Sequence, residues 1–146
     1  MNLFSLPAGR QGFSAWDLEF VKKVDNFKKL FRSFRHAFRG FKYMLKNEQN
    51  FQIEVLIGIF VVVLMFLFPT RTLEKIALFI VIFATLAIEI INSMFERVID
   101  ILKPRFHPYA QLVKDITAAA VLLSCVGAVI VGVIIFYPYV KNLFLQ

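Results

Sequence analysis

The chain has 146 residues, one domain's worth, and 59% of them are apolar, with a mean hydropathy of +0.70; soluble domains hold roughly 45–50% apolar residues. Eighteen Phe and several long apolar runs exclude an ordinary soluble core, and a single cysteine, Cys125, excludes both an intrachain disulfide and a thiolate metal cluster. The net charge of +7 stands beside apolar spans, so it points to anionic lipid on the cytoplasmic leaflet rather than to nucleic acid.

Residues 1–24 show no clean period and contain Pro7, Gly9 and Gly12, which predicts a poorly ordered lead-in. Residues 25–146 then read as a single membrane domain. From Asp25 to Asn50, Phe27, Leu30, Phe31, Phe34, Phe38, Phe41 and Leu45 recur at three- and four-residue steps, forming one apolar helix face. Lys28, Lys29, Arg32, Arg35, Arg39, Lys42 and Lys46 fill the remainder. Such a helix, expected over about 25–50, lies in the membrane interface with its rings buried and its cations among headgroups.

Three apolar stretches follow, predicting transmembrane helices over about 51–68, 74–100 and 113–138. Spanning takes about 20 residues. The third stretch reaches that length unaided; the first two reach it only by including polar residues, Gln52 and Glu54 in one and Glu89 to Glu96 in the other. In the third, Ala120, Ser124, Ala128 and Gly132 stand four apart, small enough for close helix approach. Three helices cannot enclose a polar site alone, so an oligomer is expected.

Ten of the seventeen Lys and Arg precede the first span, Arg71 and Lys75 lie in the first loop, and Arg97, Lys103, Arg105 and Lys114 mark the second. The N-terminus and the second loop are therefore expected in the cytoplasm. The polar ends of all three spans then share the cytoplasmic side.

That side carries the chemistry. Glu89, Asn92, Glu96 and Asp100 stand at offsets 0, 3, 7 and 11, one face of a helix. An acid inside a span is unfavourable unless it is paired or binds something. Asn47-Glu48 and Glu54 lie before and within the first span, and Lys114-Asp115 opens the third just past His107. The set offers hard oxygen ligands, one ammonium and no Cys or His cluster, which suits Mg²⁺ with substrate phosphates rather than zinc. A carboxylate free of metal could take a proton from a hydroxyl. Metal-held phosphate, a cation and a base are what phosphoryl transfer requires. The glycines form neither a GxxxxGK[ST] loop nor GxGxxG, so an ATP site here is of another design. The competing readings are a non-catalytic membrane assembly subunit, with the acids serving assembly, and for Glu48 a simple helix cap.

The run Glu89-Ile-Ile-Asn92-Ser93-Met-Phe-Glu96-Arg-Val-Ile-Asp100 resembles the motif of the prokaryotic diacylglycerol kinase and undecaprenol kinase family. Asn47-Glu48 with Phe51, Phe106-His107-Pro108, and Lys114-Asp115 followed by Ala118-Ala119-Ala120-Val121 resemble it too, in order and spacing, over roughly Phe31 to Pro138. Met94 and Phe95 stand where small and aliphatic residues are usual. The resemblance implies a homotrimeric, all-α integral membrane kinase of the inner (cytoplasmic) membrane, with ATP as phosphoryl donor and Mg²⁺ as cofactor. It implies Glu89 as general base on a lipid hydroxyl, Glu48 and Glu96 on Mg²⁺ and the ATP phosphates, and Asn92, His107, Lys114 and Asp115 around the nucleotide. The stretch Ser33 to Tyr43 and His107-Pro108 look more like the undecaprenol branch; diacylglycerol is the alternative substrate.

Overall fold

A computed structural model describes residues 15–102 and 108–144, with side chains from Lys29 to Leu102 and from Pro108 to Leu143. His107 lies outside the described residues, as does most of the expected lead-in. The chain divides into two units, residues 1–42 and 43–146. Four helices occupy the described residues: α1 (Ala15–Asn47), α2 (Gln49–Leu67), α3 (Thr72–Leu102) and α4 (Pro108–Phe144). No strand occurs among them. This is an all-α membrane protein: α2, α3 and α4 are each long and apolar enough to cross a bilayer.

Helix α1 begins ten residues before the expected Asp25 and ends at Asn47 rather than Asn50. In its basic stretch, Phe31, Phe34 and Phe38 are exposed, as an interfacial helix requires. Its end is set by one residue. Glu48 takes an extended conformation (φ −112°, ψ 109°) and becomes the N-cap of α2. The backbone ladder continues across it, from Glu48 N–H to Met44 O at 3.0 Å and from Gln52 N–H to Glu48 O at 3.1 Å.

The α2–α3 turn follows from Pro69. Proline disfavours helical geometry in the residue before it, and Phe68 is extended (φ −94°, ψ 148°). The Thr70 hydroxyl donates to Met65 O at 2.9 Å, satisfying a buried carbonyl at the helix end. Glu74, in the first turn of α3, accepts from Arg71 N–H at 2.7 Å, half of a capping box. It also accepts from the Tyr139 hydroxyl of α4 at 2.7 Å, while the Phe68 ring meets Phe136 and Tyr139. Met65, Leu78 and Ile135 form the core at this end, with Val61, Val131 and Phe136 packed on it. One carboxylate and one aromatic ring thus fasten all three spans.

Most large apolar side chains of α2–α4 face outward, because lipid covers a membrane bundle. The buried face of α3 is different. It carries Leu78, Thr85, Glu89, Asn92 and Ser93. Helix α4 starts at Pro108, where the missing N–H is no loss, so Lys114-Asp115 lies one to two turns inside it rather than opening it.

At Gly58 α2 packs closely on α3. A Cβ there would sit 3.1 Å from Ile82 Cγ2, whereas one at Gly127 meets nothing within 4 Å. Gly58→Leu is expected to destabilise by about 1–3 kcal/mol through overpacking. Thermal melts in mild detergent should show a lowered midpoint for Gly58→Leu and little change for Gly127→Leu; equal effects would contradict this packing.

Candidate active site

The polar end of the bundle is built on α3. Along its buried face the exposure rises from Glu89 (2%) and Asn92 (6%) to a half-buried Glu96 and an exposed Asp100. The predicted stripe is therefore graded: its last member reaches outward, while its first two are enclosed within one chain, contrary to the expectation that three helices could not enclose a polar site. Glu89 comes after a long apolar run, so its placement inside the bundle is fixed by the helix register rather than by a loop.

Helix α2 brings two groups to Glu89. Asn50 and Glu48, with Glu96 on α3, lie close enough to the carboxylate to act on it electrostatically. Even so, Glu89 Oε2 is buried without a hydrogen-bond partner, and so is Asn92 Oδ1 one turn further on. Asn92 Nδ2 faces Glu96 Oε1 at 3.4 Å. Two unpartnered buried oxygens among neighbouring acids ask for a donor or a cation. Hard oxygens of this kind fit Mg²⁺, which takes one or two carboxylates and fills its remaining positions with water and phosphate. The oxygens of Glu48, Glu96 and Asn92 are of the type Mg²⁺ takes, but Glu48 is held by Arg97, and no group of three or more acids, His or Cys among the described residues is gathered closely enough to hold a metal ion.

Glu48 does not cap α2 with its side chain. Its carboxylate is paired with the Arg97 guanidinium of α3. Arg97 also donates to the Tyr43 hydroxyl at 2.7 Å and lies over that ring, 4.7 Å from its centroid. Tyr43, Glu48 and Arg97 thus join the end of α1, the start of α2 and the outer part of α3. In the sequence Arg97 reads only as a loop charge, and no pattern marks Asn50. The signal was faint, because both contacts depend on the one-residue break at Glu48.

Lys114 stands elsewhere than expected. Its ammonium pairs with Asp100, three helical turns and on the order of 16 Å beyond Glu89 along α3. Asp115 accepts from Gln111 Nε2 at 2.8 Å on its own helix. The structure brings Glu48, Glu89, Asn92 and Glu96 together; it places Lys114 and Asp115 in an outer layer with Asp100. Glu54, one turn deeper on α2, accepts from Cys125 Sγ at 3.6 Å and leaves its own Oε2 buried and unpartnered. Cys125 therefore has a polar neighbour, beyond the packing role its apolar run suggested.

Fold and site together define an integral membrane protein, a three-span helical bundle with acids enclosed at one end. Residues 35–136 match the family described as prokaryotic diacylglycerol kinase, and the chain belongs to that family. It is similar to the undecaprenol kinase of Bacillus subtilis (strain 168), 32% identical over 110 residues, 75% of this chain and 89% of that protein. It is also similar to the diacylglycerol kinase of Helicobacter pylori (strain ATCC 700392 / 26695), 31% identical over 110 residues, 75% and 86% of the two chains. A third relative, the diacylglycerol kinase of Synechocystis sp. (strain ATCC 27184 / PCC 6803 / Kazusa), is 30% identical over 112 residues, 76% of this chain and 64% of that one. The chain is a lipid kinase, and its phosphoryl donor is ATP.

The Arg97–Glu48 pair is exposed on the Arg97 side, so it contributes only about 0–1 kcal/mol to stability. Its importance lies in holding Glu48. Arg97→Gln should leave the thermal midpoint nearly unchanged and lower lipid phosphorylation by about 10–100-fold, as loss of an outer-shell partner does. A variant that melts early yet keeps full activity would contradict this.

Proposed function

We propose that the chain phosphorylates a membrane lipid alcohol, undecaprenol in the first place, in an ATP- and Mg²⁺-dependent reaction at the cytoplasmic face of the inner membrane. The observation that carries it is Glu89, a carboxylate 2% exposed within a span, with Oε2 unpartnered. An acid so placed is suited to accept a proton from a hydroxyl that arrives from the bilayer. Phosphoryl transfer itself needs little covalent help from protein; it needs positioning and compensation of charge.

The chain's residues divide those tasks. Asn50 orients the Glu89 carboxylate, leaving Oε2 for the lipid hydroxyl. Proton transfer to Glu89 frees the alcohol oxygen to attack the terminal phosphorus of ATP, with ADP leaving on the opposite side. Glu48 and Glu96 would hold Mg²⁺, with Asn92 Oδ1 beside them. The metal, when bound, draws charge from the phosphate oxygens. Lys114, Asp115 and His107 would bound the nucleotide from the α4 side, with Lys114 shared between Asp100 and the phosphates. The low dielectric around Glu89 strengthens these interactions and keeps water from competing with the lipid.

Undecaprenol is favoured by the Ser33–Tyr43 stretch and by the Bacillus subtilis relative. Diacylglycerol is the second reading, favoured by the names of the Helicobacter pylori and Synechocystis relatives. A homotrimer belongs to this proposal as what the family resemblance implies; one chain already encloses Glu89 and Asn92, and the half-buried Glu96 and exposed Asp100 are what is left for a second copy to cover. The excess of Lys and Arg before α2 and around the α3–α4 connection supports the cytoplasmic orientation.

Glu89→Gln keeps shape and removes the base. Lipid phosphorylation should fall by about 10²–10⁴-fold, while ATP binding measured by nucleotide fluorescence should change little. Activity within a fewfold of the unaltered protein would rule the role out.

A further inference from the structure

On helix α1 each cation of one row follows a large apolar residue: Phe31-Arg32, Phe34-Arg35, Phe38-Arg39, Phe41-Lys42 and Leu45-Lys46. The pairs recur at alternating steps of three and four, so the apolar residues form one stripe along α1. The cations form a parallel row about 100° further round the helix. The other flank of the stripe carries Ser33, Gly40 and Met44, none of them charged, and Met44 is buried. No Asp or Glu occurs from Asn26 to Asn47, and no ion pair among the described residues involves the row.

Two features of this face together select what covers it. Phe31, Phe34 and Phe38 are 79%, 67% and 72% exposed, so they call for hydrocarbon beside them. The neighbouring cations call for anions, which the helix itself does not supply. A soluble polyanion would cover the cations and leave the rings in water. A zwitterionic bilayer would take the rings but bring an ammonium with every phosphate. A bilayer surface rich in anionic phospholipid meets both demands. The row is also tied to the candidate site through the chain. Helix α1 runs unbroken to Asn47 and gives way at Glu48, the single extended residue before α2. Tyr43, four residues before that end, accepts from Arg97, the same guanidinium that pairs with Glu48.

We propose that this row is a sensor of anionic phospholipid, and that seating it on charged headgroups steadies Tyr43 and Glu48 and so raises the rate of lipid phosphorylation. The use of Glu48 in catalysis rests on the lipid-kinase reading above; the lipid surface does not. With the row seated, α1 is held by rings and cations together, and Tyr43 stays on Arg97. On an uncharged bilayer only the rings hold α1. The helix then rolls more freely about its axis, and the arrangement of Tyr43, Arg97 and Glu48 is populated less. Surface charge thereby regulates the site by shifting a population.

The test compares the full chain in nanodiscs of phosphatidylcholine with nanodiscs containing about one third phosphatidylglycerol. Hydrogen exchange reports on α1 directly, and lipid phosphorylation reports on the site. Phosphatidylglycerol should slow exchange over residues 29–47 and raise the rate by about fivefold, the factor that one cation at a charged surface supplies. Both effects should vanish in about 1 M salt, where charges are screened within about 3 Å. The double variant Arg35→Gln, Arg39→Gln should lose both responses, whereas Arg35→Lys, Arg39→Lys keeps them. Tyr43→Phe should keep the slowed exchange and lose the rate response. Exchange and phosphorylation identical in both bilayers would overturn the proposal and leave the kinase reading intact. A rate response that survives in the Gln variant would also overturn it. So would soluble polyphosphate slowing the exchange equally in pure phosphatidylcholine, which would make the occupant a soluble anion. Slowed exchange on phosphatidylglycerol in a protein that phosphorylates no lipid would uphold the lipid surface and remove the kinase reading.

Discussion

The structure depends on the position of one carboxylate. Glu89 stands within a transmembrane helix and is enclosed by its own chain. An acid at such depth disfavours insertion by about 3 kcal/mol or more, and no cation among the described residues pairs with it. Asn50 reaches it, neighbouring acids surround it, and one oxygen remains without a partner. A chain that needed only stability would have a leucine there. The surrounding polar groups make sense as the setting for that acid.

The two ends of the bundle solve opposite problems. At the α2–α3 turn the buried hydroxyl and the carboxylate are satisfied: Thr70 donates to Met65 and Glu74 accepts from Arg71 and Tyr139, with Phe68 wedged against α4. That end acts as a hinge pin, fixing the register of the spans. At the other end the cations occupy an outer ring, Arg97 on Glu48 and Lys114 on Asp100, while oxygens inside it lack partners. Fixed register at one end is what allows incompletely satisfied groups to be held in place at the other, since packed helices transmit position along their length.

Much of this could be read from the sequence. Three spans, the amphipathic basic stretch and the stripe Glu89–Asn92–Glu96–Asp100 follow from apolar run length and a 3.6-residue period. Family membership followed from four short blocks in order. What periodicity could not supply was the break at Glu48, where one extended residue divides α1 from α2 and turns a would-be cap toward Arg97. Nor could it place Lys114, since the start of α4 at Pro108 decides which acid the ammonium meets. Small residues on α4 were legible as an avenue of close approach, but whether a helix or a space lies opposite is a tertiary fact. Each miss is a contact between elements, where local pattern carries no information.

The central claim is that a membrane-enclosed acid serves phosphoryl transfer from ATP to a lipid alcohol. The most direct measurement gives the purified protein ATP with Mg²⁺ and either undecaprenol or diacylglycerol, side by side, and repeats both with the metal chelated. The account predicts a phosphorylated lipid and ADP in equal amounts, faster with undecaprenol, and neither product once the metal is removed. Hydrolysis of ATP with no phosphate on either lipid would contradict it.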